Sequence, residues 1–580
     1  MSLTTRKFYS MLVGGILSSI VVSLVMISDS IIAGIMLGDT AVAGINLVAP
    51  IYSMAAALGL MFSLGEPILY SKAIGDFDEE EACHVFRFGF TISILVGVLL
   101  ISLLLLTGNP YLSTFHVSPE IQDSARKYLF WIRLDIMLLP MSTFLPGMVY
   151  CDGDAMLGST SRIASSLANA ILSIFLGKIY GITGIGIGTL AGTLLGLFIC
   201  CLHFPRKRNS LRIGFWFSTS MLISIIQYSI IDASGFLFLS GFTAFINSHL
   251  VIQFGSGSLI LAALITLVIE ILFFLDGIGA AMTPIMEIYL PVRCFTGVKV
   301  LWKEAQRAAL SIGILTALLL MALAPCFPAL LGIEDMATIS TAITEIRILA
   351  IVSPFIALLY LLTSYYILVD RIMLGVMLQG LYQLFLPVPL MFLFGHAFGI
   401  YGEFAGFVAA TALSYLCAWL YVRLRHGKKA WPLLLPEEAK GEMSFLYDFV
   451  IDPEDIIRTE EKIREDLGQE GLTEAHLLQV TLLFEEVFME VYQKNPGKRV
   501  RGECDIVLSE DNLQLIEMDD GMLFQFSSDS TPHSYREYVL SRIIAEWADS
   551  STHIQAVSFN RNKYKIQLTE ENAHVVTHRR

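Results

Sequence analysis

The sequence predicts an all-α polytopic membrane bundle of twelve helices in two parallel six-helix repeats, followed by a C-terminal cytoplasmic α+β sandwich domain. Three observations carry this reading. Of 580 residues, 55% are hydrophobic and only 16% charged, against about 25% charged in soluble domains. The charge is unevenly placed: from Trp431 onward there are 29 acidic and 15 basic residues, which accounts for the whole net charge of −14. Two motifs also recur in order, at offsets of 214 and 218 residues.

The spans come first. A membrane-crossing helix needs about 20 mostly apolar residues. Twelve such runs are centred near Ser19, Ala56, Val96, Leu138, Ile171, Leu194, Phe236, Val268, Thr316, Ala357, Leu386 and Leu413. The run after Arg6 and Lys7 is too long for the core of a signal peptide, so no cleavable leader is expected.

The loops orient them. Arg6-Lys7, Lys72 to Arg87, Arg162, Arg206 to Arg212, Arg293 to Arg307, Arg371 and Arg423 to Lys429 fall in every second gap. Excess Lys and Arg mark the cytoplasmic side, so both ends of the bundle are expected inside the cell; Lys178 and Arg126-Lys127 are exceptions to the pattern.

The repeat gives the architecture. Ile132-Arg133-Leu134 with Pro140 matches Ile346-Arg347-Ile348 with Pro354. Gly181-Ile182, Gly184, Gly188 and Ala191 match Gly399-Ile400, Gly402, Gly406 and Ala409. An offset of six helices preserves direction through the membrane, so the halves are parallel repeats with a cavity between them. The expected divisions are a first lobe over 1–215, a second over 216–430, a linker over 431–440 and the tail domain over 441–580.

Some classes are excluded. The tail is acidic, whereas nucleic-acid binding needs a basic face. The eight cysteines form no C-x-x-C pair and lie mostly in or beside apolar runs, so they read as packing residues rather than as metal ligands or disulfides.

The first half resembles the multidrug and toxin extrusion (MATE) transporters. The resemblance rests on Asp29-Ser30-Ile31-Ile32-Ala33-Gly34, Leu37-Gly38, Ala41 to Pro50, Ser71-Lys72-Ala73-Ile74-Gly75-Asp76, Asp152-Gly153-Asp154, Asn169 and the Gly181 motif. It implies a secondary-active exporter of small cationic or amphipathic compounds in the bacterial cytoplasmic membrane, coupled to H+ or Na+ influx. The protein is then a transporter and not an enzyme, with no cofactor required. Two other readings stay open: a membrane-anchored sensor built on a transporter-like bundle, and a lipid-precursor flippase.

A carboxylate inside the bilayer costs at least about 2.5–3.5 kcal/mol and is a functional candidate by default. Asp29 lies in the first run, between Val21 to Ile27 and Ile31 to Leu37. The resemblance places it at the family's coupling carboxylate; the competing reading is a structural carboxylate near the outer interface. The resemblance also assigns Asn169 to the coupling site. Four residues on, many relatives carry an aspartate where this chain has Ser173, so a proton site in the first lobe is expected to rest on Asp29 alone. Asn247 is the repeat mate of Asp29 and is neutral. Glu66, Asp232, Glu270 and Asp276 are candidates to line the cavity and attract a cation. Phe62, Tyr70, Tyr150, Tyr360, Tyr365 and Tyr366 offer aromatic faces for a cation, with packing the commoner role.

In the tail, strands are expected at Ser444 to Ile451, Cys504 to Ser509, Leu513 to Met518, Gln555 to Asn560 and Lys563 to Leu568. Helices are expected at Pro453 to Leu467, Thr473 to Gln493 and Ser534 to Trp547. The tail resembles histidine-kinase-like ATPases of the anti-sigma-factor kinase branch, through Glu485 to Glu490 and Asp519-Asp520-Gly521. That resemblance gives Glu486, Glu490, Asp519 and Gly521 as nucleotide-site positions for ATP and magnesium. Glu490 replaces the family's magnesium-binding asparagine, and Ser527 to Tyr535 lacks the glycine-rich phosphate loop. The expectation is a degenerate domain that senses or binds a cytoplasmic protein partner.

Overall fold

The structure is a computed structural model. It describes the chain except residues 1–2, 63–64, 76–78, 116, 153, 207–210, 291–293, 370, 428–430, 436–442, 510–511, 523–541, 545–549, 557–558 and 569–580.

The first lobe contains α1 (Leu3–Leu37), α2 (Asp39–Met61), α3 (Glu66–Gly75) and α4 (Glu79–Ser113). It continues with α5 (Pro119–Cys151), α6 (Ala155–Tyr180) and α7 (Ile182–Cys201). The second lobe holds α8 (Thr219–Phe254), α9 (Leu259–Leu272), α10 (Gly277–Tyr289), α11 (Phe295–Leu323) and the short α12 (Phe327–Leu330). It closes with α13 (Met336–Ala350), α14 (Ser353–Leu368), α15 (Ile372–Gly380), α16 (Pro387–Phe398) and α17 (Ile400–His426). Among the described residues ten helices are long and apolar enough to cross a membrane, or eleven with the bent pair α13 and α14, which meet at 44°. The remaining expected centre, Ser19, lies in α1, of which Ile27–Leu37 counts as a shorter apolar helix. Pro354 in the first turn of α14 explains the bend, because it supplies no backbone N–H to the turn before it.

The repeat holds in the backbone. Gly181 between α6 and α7 has φ 62° and ψ −140°, and Gly399 between α16 and α17 has φ 67° and ψ −152°. Both occupy conformations that favour glycine. A Cβ on Gly184 would lie 2.0 Å from the Leu176 carbonyl oxygen, and one on Gly402 2.1 Å from that of Phe394. Leu176 and Phe394 are themselves 218 residues apart. The same glycine pattern therefore builds the same tight helical hairpin in each lobe.

Glu66 lies beyond the helix centred near Ala56: α2 ends at Met61 and Glu66 opens α3, with Pro67 following it. Proline suits the first turn of a helix, where its missing N–H costs nothing.

The tail forms a five-stranded antiparallel sheet in the order β1-β2-β3-β5-β4. The strands are β1 (Met443–Val450), β2 (Arg501–Leu508), β3 (Asn512–Asp519), β4 (Ser550–Ala556) and β5 (Phe559–Gln567). Two helices, α18 (Pro453–Gln469) and α19 (Glu474–Lys494), sit between β1 and β2 in sequence. Asp452 caps α18 by accepting from the Asp455 N–H at 3.0 Å, and α18 buries Ile456, Thr459, Ile463 and Leu467 at helical spacing. The expected helix over Ser534 to Trp547 falls mostly outside the described residues.

The sheet has no solvated face along its centre. Successive residues of a strand point to opposite faces. Cys504, Ile506, Leu513 and Leu515 pack with α18 and α19, whereas Ile516 and Met518 join the apolar core of the membrane bundle. The tail's sheet is laid against the bundle.

Candidate functional site

Asp29 is buried in α1, at 9% exposure. Its Oδ2 accepts from the Tyr128 hydroxyl of α5 at 2.7 Å and from the Thr189 hydroxyl of α7 at 2.9 Å. Its Oδ1 is buried without a hydrogen-bond partner. An unmade bond on a buried carboxylate oxygen is costly, so this oxygen is where a proton or cation is best accommodated.

Asn169 and Ser173 belong to the same cluster. Ser173 donates to Asn169 Oδ1 at 3.0 Å, one turn along α6, and lies 3.2 Å from the Ile185 carbonyl. Thr189 Oγ1 is 2.9 Å from Asp29 Oδ2, 3.3 Å from Asn169 Oδ1 and 3.2 Å from the Ile185 carbonyl. A hydroxyl carries one proton, so Thr189 satisfies one of these acceptors at a time. The site thus has more acceptors than donors while Asp29 is ionised.

Asn247, the repeat mate of Asp29, is not part of this cluster. Its Oδ1 accepts from Asn46 Nδ2 at 2.6 Å, and its own amide donates to the Asn46 carbonyl at 2.8 Å. It is fully buried and joins α8 of the second lobe to α2 of the first. The sequence position matches, but the neighbour does not.

A second carboxylate was missed. Asp135 on α5 is 2% exposed, and its Oδ1 accepts from the Thr193 hydroxyl at 2.6 Å. Thr193 follows Thr189 by one turn of α7, so adjacent hydroxyls on one helix face serve the two carboxylates. Asp29 and Asp135 interact electrostatically, and Tyr52 of α2 lies within the field of both. The first lobe therefore holds a second buried carboxylate near Asp29, bonded to the next hydroxyl along α7. Its signal in the sequence was weak: Asp135 stands two residues from Arg133 in a stretch that also carries Arg126 and Lys127.

The cavity candidates divide. Glu66 is fully buried and both its oxygens lack partners. Asp276 closes the 3-10 turn Phe273–Asp276, and its charge acts on Tyr360 and Tyr382. Those two tyrosines line an apolar pocket in the second lobe with Leu239, Phe242, Gln383 and Phe407. Glu270 is half-buried on α9. The side chain of Asp232 lies outside the described residues. Glu345, two residues before the recognised Arg347, is a further buried carboxylate with neither oxygen partnered. Of the aromatics, Tyr70 donates to Asp152 at 2.6 Å and Tyr365 to the Leu433 carbonyl at 2.7 Å, both structural roles.

In the tail, Asp519 Oδ1 accepts from the Gly521 N–H at 2.8 Å. The Asn495 side-chain oxygen accepts from the Met522 N–H, also at 2.8 Å. Glu490 is 3% exposed, with Lys494 at 3.5 Å. Glu486 is half-buried one turn earlier on α19. Asp519 and Gly521 are thus engaged with each other in their own turn, and one Glu490 oxygen is buried without a hydrogen-bond partner. The glycine-poor segment Ser527 to Tyr535 lies outside the described residues.

Comparison with known proteins agrees with this architecture. The MatE family model matches residues 15–175. A solved structure described as the inward-facing conformation of a multidrug resistance MATE family transporter of the MOP superfamily is 18% identical, with TM-score 0.65, covering 73% of this chain and 95% of its own. An outward-facing MATE family transporter of that superfamily is 18% identical, with TM-score 0.59 and coverage of 73% and 96%. A MOP superfamily transporter from Pyrococcus furiosus Vc1, described as having a binding pocket of reverse polarity and a different function, gives the same four values. No curated protein matches the chain. The chain is thus a multi-pass membrane protein whose bundle has the MATE transporter fold and whose residues 15–175 match the MatE family model.

Proposed function

We propose that the protein is a secondary-active exporter of small cationic or amphipathic compounds, driven by proton influx through the first lobe. The observation that carries this is the Asp29 carboxylate: buried, held through one oxygen by Tyr128 and Thr189, and unpartnered at the other. Such a group binds a proton when exposed to one side and releases it to the other. The pocket bounded by Tyr360 and Tyr382, with Asp276 acting on both, suits a lipophilic cation. The placement of the basic loops supports an orientation with both ends of the bundle inside the cell, and the resemblance supports the bacterial cytoplasmic membrane.

A sodium-coupled reading is favoured by one feature. Oxygens of Asp29, Asn169, Ser173, Thr189 and Ile185 converge within one cluster, and hard cations take oxygen ligands. Proteoliposomes loaded with ethidium and given either an inward pH gradient or an inward sodium gradient separate the two. Proton coupling gives efflux with the pH gradient alone; efflux with sodium alone supports the other ion; no efflux with either refutes export.

The tail is read as a regulatory domain with a degenerate nucleotide site. The self-engaged Asp519 turn and the carboxylate at Glu490 support this. Saturable binding of labelled ATP with magnesium by the full chain, lost in Asp519→Asn, would contradict it.

A further inference from the structure

We propose that Asp135 is a second proton-binding site beside Asp29, so that the first lobe carries two protons per cycle. The inference rests on the proton-coupled reading above. Helices α5 and α7 each run from the expected outer face inward. Tyr128 and Thr189 meet Asp29 at one level, and Asp135 and Thr193 meet one to two turns further in. Thr189 and Thr193 are four residues apart on α7, a rise of about 6 Å. The two carboxylates are therefore held by hydroxyls about one turn apart on α7.

The groups that face Asp135 are Thr193 from α7, Asp29 from α1, Tyr52 from α2 and Tyr128 from its own helix. Two buried carboxylates held by successive hydroxyls of α7 repel when both are ionised, so the closed bundle favours a proton on each, and opening to the inner side releases both.

Two measurements on the full chain test this. In a static-head experiment, an outward ethidium gradient is opposed by a graded pH gradient until net flux stops. The balance point corresponds to two protons per dye in the native protein and one in Asp135→Asn. An unchanged balance point in Asp135→Asn overturns the proposal. If the native protein moves no dye, the exporter reading fails, and infrared difference titration of the purified protein still decides the site. Asp135→Asn should then lose a titrating carboxylic C=O band distinct from the one lost in Asp29→Asn; a titration spectrum unaltered by Asp135→Asn overturns it.

A second observation independently carries a regulatory contact. Glu503 of β2 is fully buried and reaches both lobes. Its carboxylate accepts from the Thr4 hydroxyl at 2.7 and 2.8 Å and from the Thr4 N–H at 3.3 Å, on α1, and from the Tyr289 hydroxyl on α10. Asp448 of β1 accepts from the Leu3 N–H at 2.7 Å, Asp520 pairs with Arg6 at 3.4 Å, and Ser444 bonds Thr296 of α11 at 2.7 Å. Further into the bundle, Gly15 of α1 and Gly277 of α10 touch closely enough that a Cβ on either would lie 2.5–2.6 Å from the other's carbonyl oxygen. Thr4 and Tyr289 each lie about 17 Å beyond that contact along their helices.

The geometry points to the tail as a strap across the inner ends of α1 and α10, holding the lobes together where inward opening must part them. Spin labels at Met156→Cys and Met373→Cys, both exposed at inner helix ends, read the separation of the lobes in the full chain. Glu503→Ala should add a longer distance population to that of the native tail. An identical distance distribution in the two proteins overturns the strap.

Discussion

Tyr128 donates its hydroxyl to Asp29 Oδ2 at 2.7 Å, across from α5 to α1. A hydrogen bond to a charged group is worth about 1.5–3 kcal/mol. Tyr128→Phe keeps the ring and removes only this donor, leaving Thr189 as the remaining one. Dye efflux should fall by about tenfold or more and the unfolding midpoint should also drop, so efflux is compared at equal amounts of folded protein in the membrane.

The glycine pair Gly184 and Gly402 provides a structural prediction. A methyl group at either overlaps a carbonyl oxygen of the preceding helix. Gly184→Ala and Gly402→Ala should each destabilise the protein by about 1–3 kcal/mol. Both should lower the thermal unfolding midpoint in detergent by similar amounts, since the two hairpins share one geometry.

Asn247 and Asn46 exchange two hydrogen bonds between the lobes. Asn247→Ala strands a buried amide and a carbonyl, a cost of about 1–3 kcal/mol each. The expected outcome is a lower unfolding midpoint with the coupling ion unchanged. A switch of coupling ion in this variant would return Asn247 to the coupling site.

Glu517 of β3 is buried, with neither oxygen partnered. Burial, and then the charge of Asp519, push its carboxyl well above the ordinary value near 4.5. A carboxyl raised on folding favours the folded tail below the ordinary value, and that contribution is lost as pH rises through the raised one. Protection factors of the β3 amides in the full chain should therefore fall as pH rises from about 4.5 upward. Glu517→Gln should flatten that dependence.

Much of this was legible before any coordinates. Asp29 stood out because it is a lone charge in a long apolar run, whereas Asn169, and Ser173 one turn on, were singled out by the family resemblance. From β1 to β3, strands and helices fell within a few residues of their expected limits, because caps such as Asp452 and alternation along the strands are local signals; the strand expected over Gln555 to Asn560 instead straddles the end of β4 and the start of β5. Asp135 and Glu345 were not found, since neighbouring arginines made them look like parts of polar flanks. Asn247 is the repeat mate of Asp29 by position, but repeat symmetry does not fix its neighbour, which is Asn46 across the lobes. Glu503 and Asp505 alternate with apolar residues as a solvated face would, yet both are buried. What covers them is the bundle, a long-range contact with no trace in the local pattern.

The most direct test compares native protein with Asp29→Asn in ethidium-loaded proteoliposomes under an inward pH gradient. The account predicts efflux from the native protein and loss of nearly all of it in the variant, with equal amounts of folded protein in the membrane. Undiminished pH-driven efflux in Asp29→Asn would contradict it.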